Sequence, residues 1–106
     1  MYELSKSDWK KYKDKISSWQ ENYMERLLKE YVTFLQMDEP ASKRFWELEK
    51  RIKQDKRCPG VLITNMSKSS AIYDIATLVK DEIISIKELD DFSADLQEAV
   101  NYIVNH

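Results

Sequence analysis

Glycine occurs once in this chain, at Gly60, and proline twice, at Pro40 and Pro59. Loops that cradle phosphates need clustered glycines so that the backbone can approach the anion, so P-loop and dinucleotide-binding chemistry are excluded, and long flexible linkers with them. The single cysteine, Cys58, excludes an internal disulfide and any zinc site built on cysteine pairs, and suits a reducing compartment. It lies beside Lys56, Arg57 and Pro59 with no histidine near it in sequence, and reads as an incidental thiol. The only histidine is His106, at a terminus where fraying is expected, so the sequence offers no positioned base for a nucleophilic triad. Aspartates and glutamates cluster between positions 81 and 91 without the alternating ligands and central glycine of a calcium loop. No enzyme activity, metal or cofactor is expected.

Long apolar runs are missing too. Nothing approaches the ~20 residues that span a bilayer, and the basic start and apolar stretch of a signal peptide are not present. The expectation is a soluble cytoplasmic protein without a membrane partner.

What the chain does contain is aromatic and charged. Its 106 residues are 42% hydrophobic and 34% charged, the composition of one globular domain spanning 1–106. Each large apolar side chain buried contributes ~1.5–3 kcal/mol against ~1–2 kcal/mol of backbone entropy per ordered residue, so a core of this size is modest and self-association as a homodimer would help it. The net charge of −2 is uneven: residues 1–66 carry 14 Lys and Arg against 11 Asp and Glu, and residues 67–106 carry 3 against 8. Attraction between a basic front and an acidic back outranks a nucleic-acid partner as the reason.

The organising stretch is 18–37, SWQENYMERLLKEYVTFLQM. At 100° per residue, Trp19, Tyr23, Met24, Leu27, Leu28, Tyr31, Phe34 and Leu35 form an apolar arc of roughly 200°, wider than one covering layer can hide. Ser17-x-x-Gln20 and Ser18-x-x-Glu21 read as capping boxes that start it, and Pro40 stops it by disfavouring helix at Glu39. Glu30 interrupts the arc, and Arg26, four residues earlier, is its expected partner.

A separate first helix is expected over 5–16, capped by Ser5, with Trp9, Tyr12 and Ile16 as its apolar face and five lysines around it. A third is expected over 40–56, folding back on the central one as an αα-hairpin with Ala41, Phe45, Leu48 and Ile52 facing inward. Gly60 is available for the positive φ of a turn, and residues 61–64 are apolar and β-branched, suited to lining the core, to a very short pairing with 83–86, or to pairing with their own copy in a dimer. Ser67, Ser69 or Ser70 caps a helix ending near Lys80, Ser85-x-x-Glu88 starts a short one, and Ser93 caps the last, with Leu96, Ala99, Val100 and Ile103 as its stripe. The fold class is all-α, a compact bundle of five or six helices around the central one. A helix-turn-helix reading of the segment after Ser70 fails, because Glu88, Asp90 and Asp91 would face phosphate.

One residue falls outside this packing scheme. Trp46 lies ~130° from the stripe of its helix, among Lys43, Lys50, Lys53 and Arg57. It either packs on another part of the chain or a second copy, or is the contact point for a partner. The partner-binding candidates are therefore Trp46, Lys43, Lys50, Lys53 and Arg57. The alternative is nucleic-acid binding by the basic first and third helices.

Three runs carry a family resemblance: DWKKYKDKISSWQENYMERLLKEY, ASKRFWELEKRIKQDKRCPGV and IISIKELDDFSADLQEAV, the most specific part being residues 45–61. Across nearly the whole chain the sequence resembles a family of small uncharacterised proteins of Firmicutes, sometimes labelled multidrug transporters. The want of any spanning segment argues against transport. The resemblance implies an accessory protein of gut or mobile-element genomes, of a kind that interferes with a host or rival protein. The sequence as a whole is read as a non-enzymatic protein-binding or regulatory module.

Overall fold

The computed structural model describes residues 2–106. Four α-helices follow one another: α1 (Lys6–Leu35), α2 (Ala41–Asp55), α3 (Lys68–Lys80) and α4 (Ala94–Asn105), with a 3-10 turn at Ile86–Leu89 between the last two. The architecture is all-helical, but the five or six helices expected are four. The expected first and central helices are one uninterrupted helix of 30 residues. Nothing between Lys6 and Leu35 breaks it: Ser17 and Ser18 point to solvent, and the few tenths of a kcal/mol that two serines cost in a helix are outweighed by burying Ile16 and Trp19 on either side of them. The start that forms is Ser5, whose Oγ accepts from the Asp8 N–H at 3.1 Å.

α1 has only part of its wide apolar arc covered by the chain itself: of the arc residues, Trp19 and Leu27 are buried, while Leu28 and Leu35 are exposed. Its first half belongs to a head, where Tyr12, Ile16 and Trp19 pack with Ala71, Ile72, Ile75 and Leu78 of α3, Leu89 and Phe92 of the connection, and Leu96 and Val100 of α4. α3 and α4 pack extensively on one another. Trp19 ties the connection down further, its Nε1 donating to Glu88 at 3.4 Å. Lys11 and Lys15 reach Asp91, the first to its carbonyl at 2.6 Å and the second to its carboxylate at 3.2 Å. Part of the attraction between basic front and acidic back is thus satisfied within the chain.

The second half of α1 still touches the head through Tyr23 and Arg26, and beyond them it leaves the head and pairs with α2. A 30-residue helix is ~45 Å long, which accounts for most of the 51 Å length of a molecule only 27 by 25 Å across. The radius of gyration, 16.3 Å, is well above the ~13 Å of a compact globule of this length. The expected compact bundle is a helical head with a hairpin projecting from it.

Two further expectations are corrected. Residues 61–64 form turn and coil, and no strand occurs among the described residues. The N–H groups of Val61 and Leu62 both go to the Cys58 carbonyl, so the segment is occupied in closing the turn after α2. Gly60 does not have a positive φ; glycine is needed because a Cβ there would lie 2.6 Å from Cδ2 of Tyr23 and 3.0 Å from Cγ2 of Ile83. The positive φ falls instead on Glu82, at 59°, just past the end of α3, where the N–H groups of Ile83 and Ile84 return to the Leu78 carbonyl.

Candidate functional site

The hairpin is held by polar contacts along one seam. Arg44 donates from Nε to the Glu39 carbonyl at 2.9 Å and from Nη1 to the Leu35 carbonyl at 2.8 Å, so a cation of α2 satisfies the open C-terminal end of α1. Further along, Arg51 pairs with Glu30 across the two helices and lies over the Tyr31 ring, whose hydroxyl donates to Asp55. Burial and the bond to Asp55 push the Tyr31 hydroxyl up to about 12. Glu30 therefore finds its partner on the neighbouring helix. Arg26, its expected partner, donates instead to the Glu82 carbonyl at 3.0 Å and lies over the Tyr23 ring.

This seam rotates α2 away from the expected orientation. The residues turned to α1 are Arg44, Leu48, Arg51 and Asp55, an i, i+4, i+7, i+11 row one position round from the apolar stripe. Leu48 belongs to both rows. Phe45 and Ile52 do not, and they are left at the edge of the hairpin, Phe45 63% exposed. No residue of α2 is buried. Its strongly one-sided apolar pattern is only partly used by the chain itself.

The side-chain cluster singled out by sequence lies on the back of α2, away from α1. Trp46 is 63% exposed and stands edge-on to Phe45, ring centroids 5.0 Å apart. With Pro40, Ser42, Lys43, Glu47 and Lys50 it lines a shallow open depression of about 390 Å³. Lys43 and Lys50 are therefore brought to the indole. Lys53 is turned to Glu49, at 2.7 Å, and Lys43 also pairs with Glu39 at 3.4 Å. Arg57 lies beyond the end of α2, outside the depression. Lys50 and Arg57 carry no ion pair among the described residues. Packing of Trp46 on the rest of the chain, the alternative explanation of its position, does not occur.

Sequence reasoning missed Phe45 as a surface residue. The signal was present in part, because Arg44, Leu48, Arg51 and Asp55 also form a helical row and match Glu30, Tyr31 and Phe34 in chemistry. A periodicity count gives charged residues no weight as a packing face, so the apolar row was preferred. No helix among the described residues is long and apolar enough to cross a membrane. Compared with protein-family models, with curated proteins and with solved structures, the chain has no match.

Proposed function

We propose that this protein is a non-enzymatic protein-binding module of the cytoplasm, regulatory in role, that docks through the back of α2 with Trp46 as the central contact. The observation that carries the reading is that α2 buries none of its own residues yet displays Phe45 and Trp46 together, edge to face and well exposed. An exposed indole next to a second ring is costly to leave in water and is the side chain most often found at the energetic centre of protein interfaces. Lys43, Lys50 and Arg57 around or beyond it suit a partner with a carboxylate rim. Such a role accords with the accessory function that the family resemblance implies.

A nucleic-acid partner would have to use the lysines of α1 and α2. It is less well supported, because Lys11 and Lys15 are engaged by Asp91, Lys43 by Glu39 just before α2, and Lys53 by Glu49 of its own helix. Capture from the native cytoplasm, with and without nuclease, compares the two readings. Trp46→Ala is expected to abolish nuclease-resistant capture while leaving the helical circular dichroism unchanged. Capture that vanishes with nuclease and survives Trp46→Ala would reverse the assignment, and steep weakening with salt would accompany it.

A further inference from the structure

The hairpin has two flanks of opposite character. One is charged, with Glu47, Lys50 and the Glu30–Arg51 pair around Tyr31 and Phe34. The other is apolar. Met24, Leu28 and Ile52 line a groove of about 240 Å³ on it, with walls almost wholly of carbon; Val32, Leu35 and Phe45, exposed as well, stand four or seven residues from Leu28 and Ile52 on the same helices. Leu28 is 55% exposed and Val32 52%.

The spacing on this flank is symmetrical. Leu28 and Leu35 are seven residues apart in α1, and Phe45 and Ile52 are seven apart in α2, so each pair is two turns apart on one face. The register of the hairpin is set by the pairing of Glu30 with Arg51 and of the Leu35 carbonyl with Arg44. In that register the midpoint of the first pair, between Tyr31 and Val32, stands level with the midpoint of the second, between Leu48 and Glu49. A two-fold axis across the hairpin at that level therefore exchanges Leu28 with Leu35 and Phe45 with Ile52 simultaneously. A surface with this property is complementary to itself, and no foreign helix would require it.

We infer that the apolar flank is the interface of a homodimer, in which two hairpins lie antiparallel across a two-fold axis near Val32 and close into a four-helix bundle with the heads at opposite ends. The head is broader than a pair of helices, so placing both heads at one end would hold the flanks apart. Two helices ~12 Å wide with their side chains over about four turns give a footprint of ~500 Å² per protomer. The ~1,000 Å² in total meets the lower bound for a specific interface. Glu49, the carboxylate nearest the axis, is already neutralised by Lys53 at 2.7 Å. The inference goes beyond the Trp46 reading and does not depend on it: Trp46, Lys43 and Lys50 on the back of α2 stay open in such a dimer, and only Phe45, at the edge between the two surfaces, is shared.

Light scattering at tens of micromolar is expected to give twice the chain mass of 12.7 kDa. Leu28→Glu and Ile52→Glu should each weaken association by about 30-fold or more, and Trp46→Ala should not. In a Cys58→Ala background, Val32→Cys should be joined to its own copy by a short bismaleimide, because it lies beside the axis, and Glu47→Cys on the charged flank should not. Circular dichroism of each variant checks that the helices persist, and the cross-link reads the geometry without any disruptive substitution. A wild-type monomer across the concentration range overturns the inference. So does a dimer that is cross-linked through Glu47→Cys and not Val32→Cys, or one dissolved by Trp46→Ala.

Discussion

The carboxylate of Asp8 accepts two hydrogen bonds from Ser93, one from its N–H at 3.0 Å and one from its hydroxyl. Asp8 is 1% exposed and lies in the first turn of α1, while Ser93 is the N-cap of α4, its Oγ accepting from the Leu96 N–H at 3.2 Å. One buried charge thereby faces the positive ends of two helices and is satisfied by the cap of the second. The Ser93 hydroxyl has its proton directed at Asp8 and its lone pair at Leu96, so the start of α4 is oriented by the start of α1, 85 residues away.

Asp8→Ala should accordingly destabilise the protein by about 1.5–3 kcal/mol, the value of hydrogen bonds to a charged group. Ser93→Ala should cost at least as much, because it removes the cap of α4 and strands a buried carboxylate. Denaturant titration of the two variants and of the double variant provides the check. The double variant should lose clearly less than the sum, by the coupling expected of residues in one network. Simple additivity would mean that the two side chains act separately.

Two backbone positions should respond in opposite directions. Gly60→Ala must displace the Tyr23 ring, 2.6 Å from the new carbon, and is expected to cost about 1–3 kcal/mol as overpacking. Glu82→Gly relieves a left-handed conformation, φ 59°, and is expected to gain up to about 1 kcal/mol. The Glu82 carbonyl that Arg26 binds is kept. Thermal melts of the two variants compare them directly.

How far the sequence carried these features differs by element. Ser5 and Ser93 were legible as caps, and Ser67 as one of three candidates with Ser69 and Ser70, because each precedes a helix with an apolar face that can be buried; all three accept capping bonds. Ser85 carries the same pattern yet makes no capping bond and begins only a 3-10 turn, and Ser17 and Ser18 carry it inside a helix. A capping box is a local signal, and whether it is used depends on whether burial on both sides favours carrying the helix through. The exposure of Trp46 was half legible, since its angle on α2 was readable but what faced it was not. Asp8 and Ser93 could not be paired in advance, because each has a sufficient local role as a first-turn acid and a cap.

Stability should also depend on alkaline pH through tyrosines whose hydroxyls burial raises, Tyr31 and Tyr12 foremost. Burial, then the bond to Asp55, raises the Tyr31 hydroxyl from the ordinary 10.0 to about 12, so its contribution is fully present below pH 10 and is lost as pH rises toward 12. Burial raises Tyr12 as well. Their neutral-pH effects differ in sign. Tyr31→Phe loses a hydrogen bond worth ~1 kcal/mol, whereas the buried Tyr12 hydroxyl has no partner among the described residues, so Tyr12→Phe removes an unsatisfied polar group and should leave the protein equally or more stable. Urea midpoints for both variants at pH 7 and pH 11 test this. A loss above about 1 kcal/mol for Tyr12→Phe at pH 7 would show that its hydroxyl is bonded after all.

The division between head and hairpin should be visible in amide exchange. Ile72, Leu78, Leu89 and Leu96 are fully buried in the head, so opening α3 or α4 exposes the whole core and requires close to the global unfolding free energy. α2 has no buried residue and is held mainly by Arg44, Arg51 and the contacts of Leu27 and Tyr31, so it can open alone at lower cost. Exchange followed by mass spectrometry should therefore show faster deuteration of α2 than of α3 and α4. Leu27→Ala, which removes a buried side chain lining the groove between α1 and α2, should accelerate α2 selectively, while Leu96→Ala, costing about 2–5 kcal/mol, should accelerate α3 and α4. If two hairpins cover one another, dilution should speed exchange in α2 and in the second half of α1 and leave α3 and α4 unchanged, because only the first pair of segments gains protection from a second copy. Uniform protection of α2 and α3 at every concentration would mean that the hairpin is not a separate unit of stability.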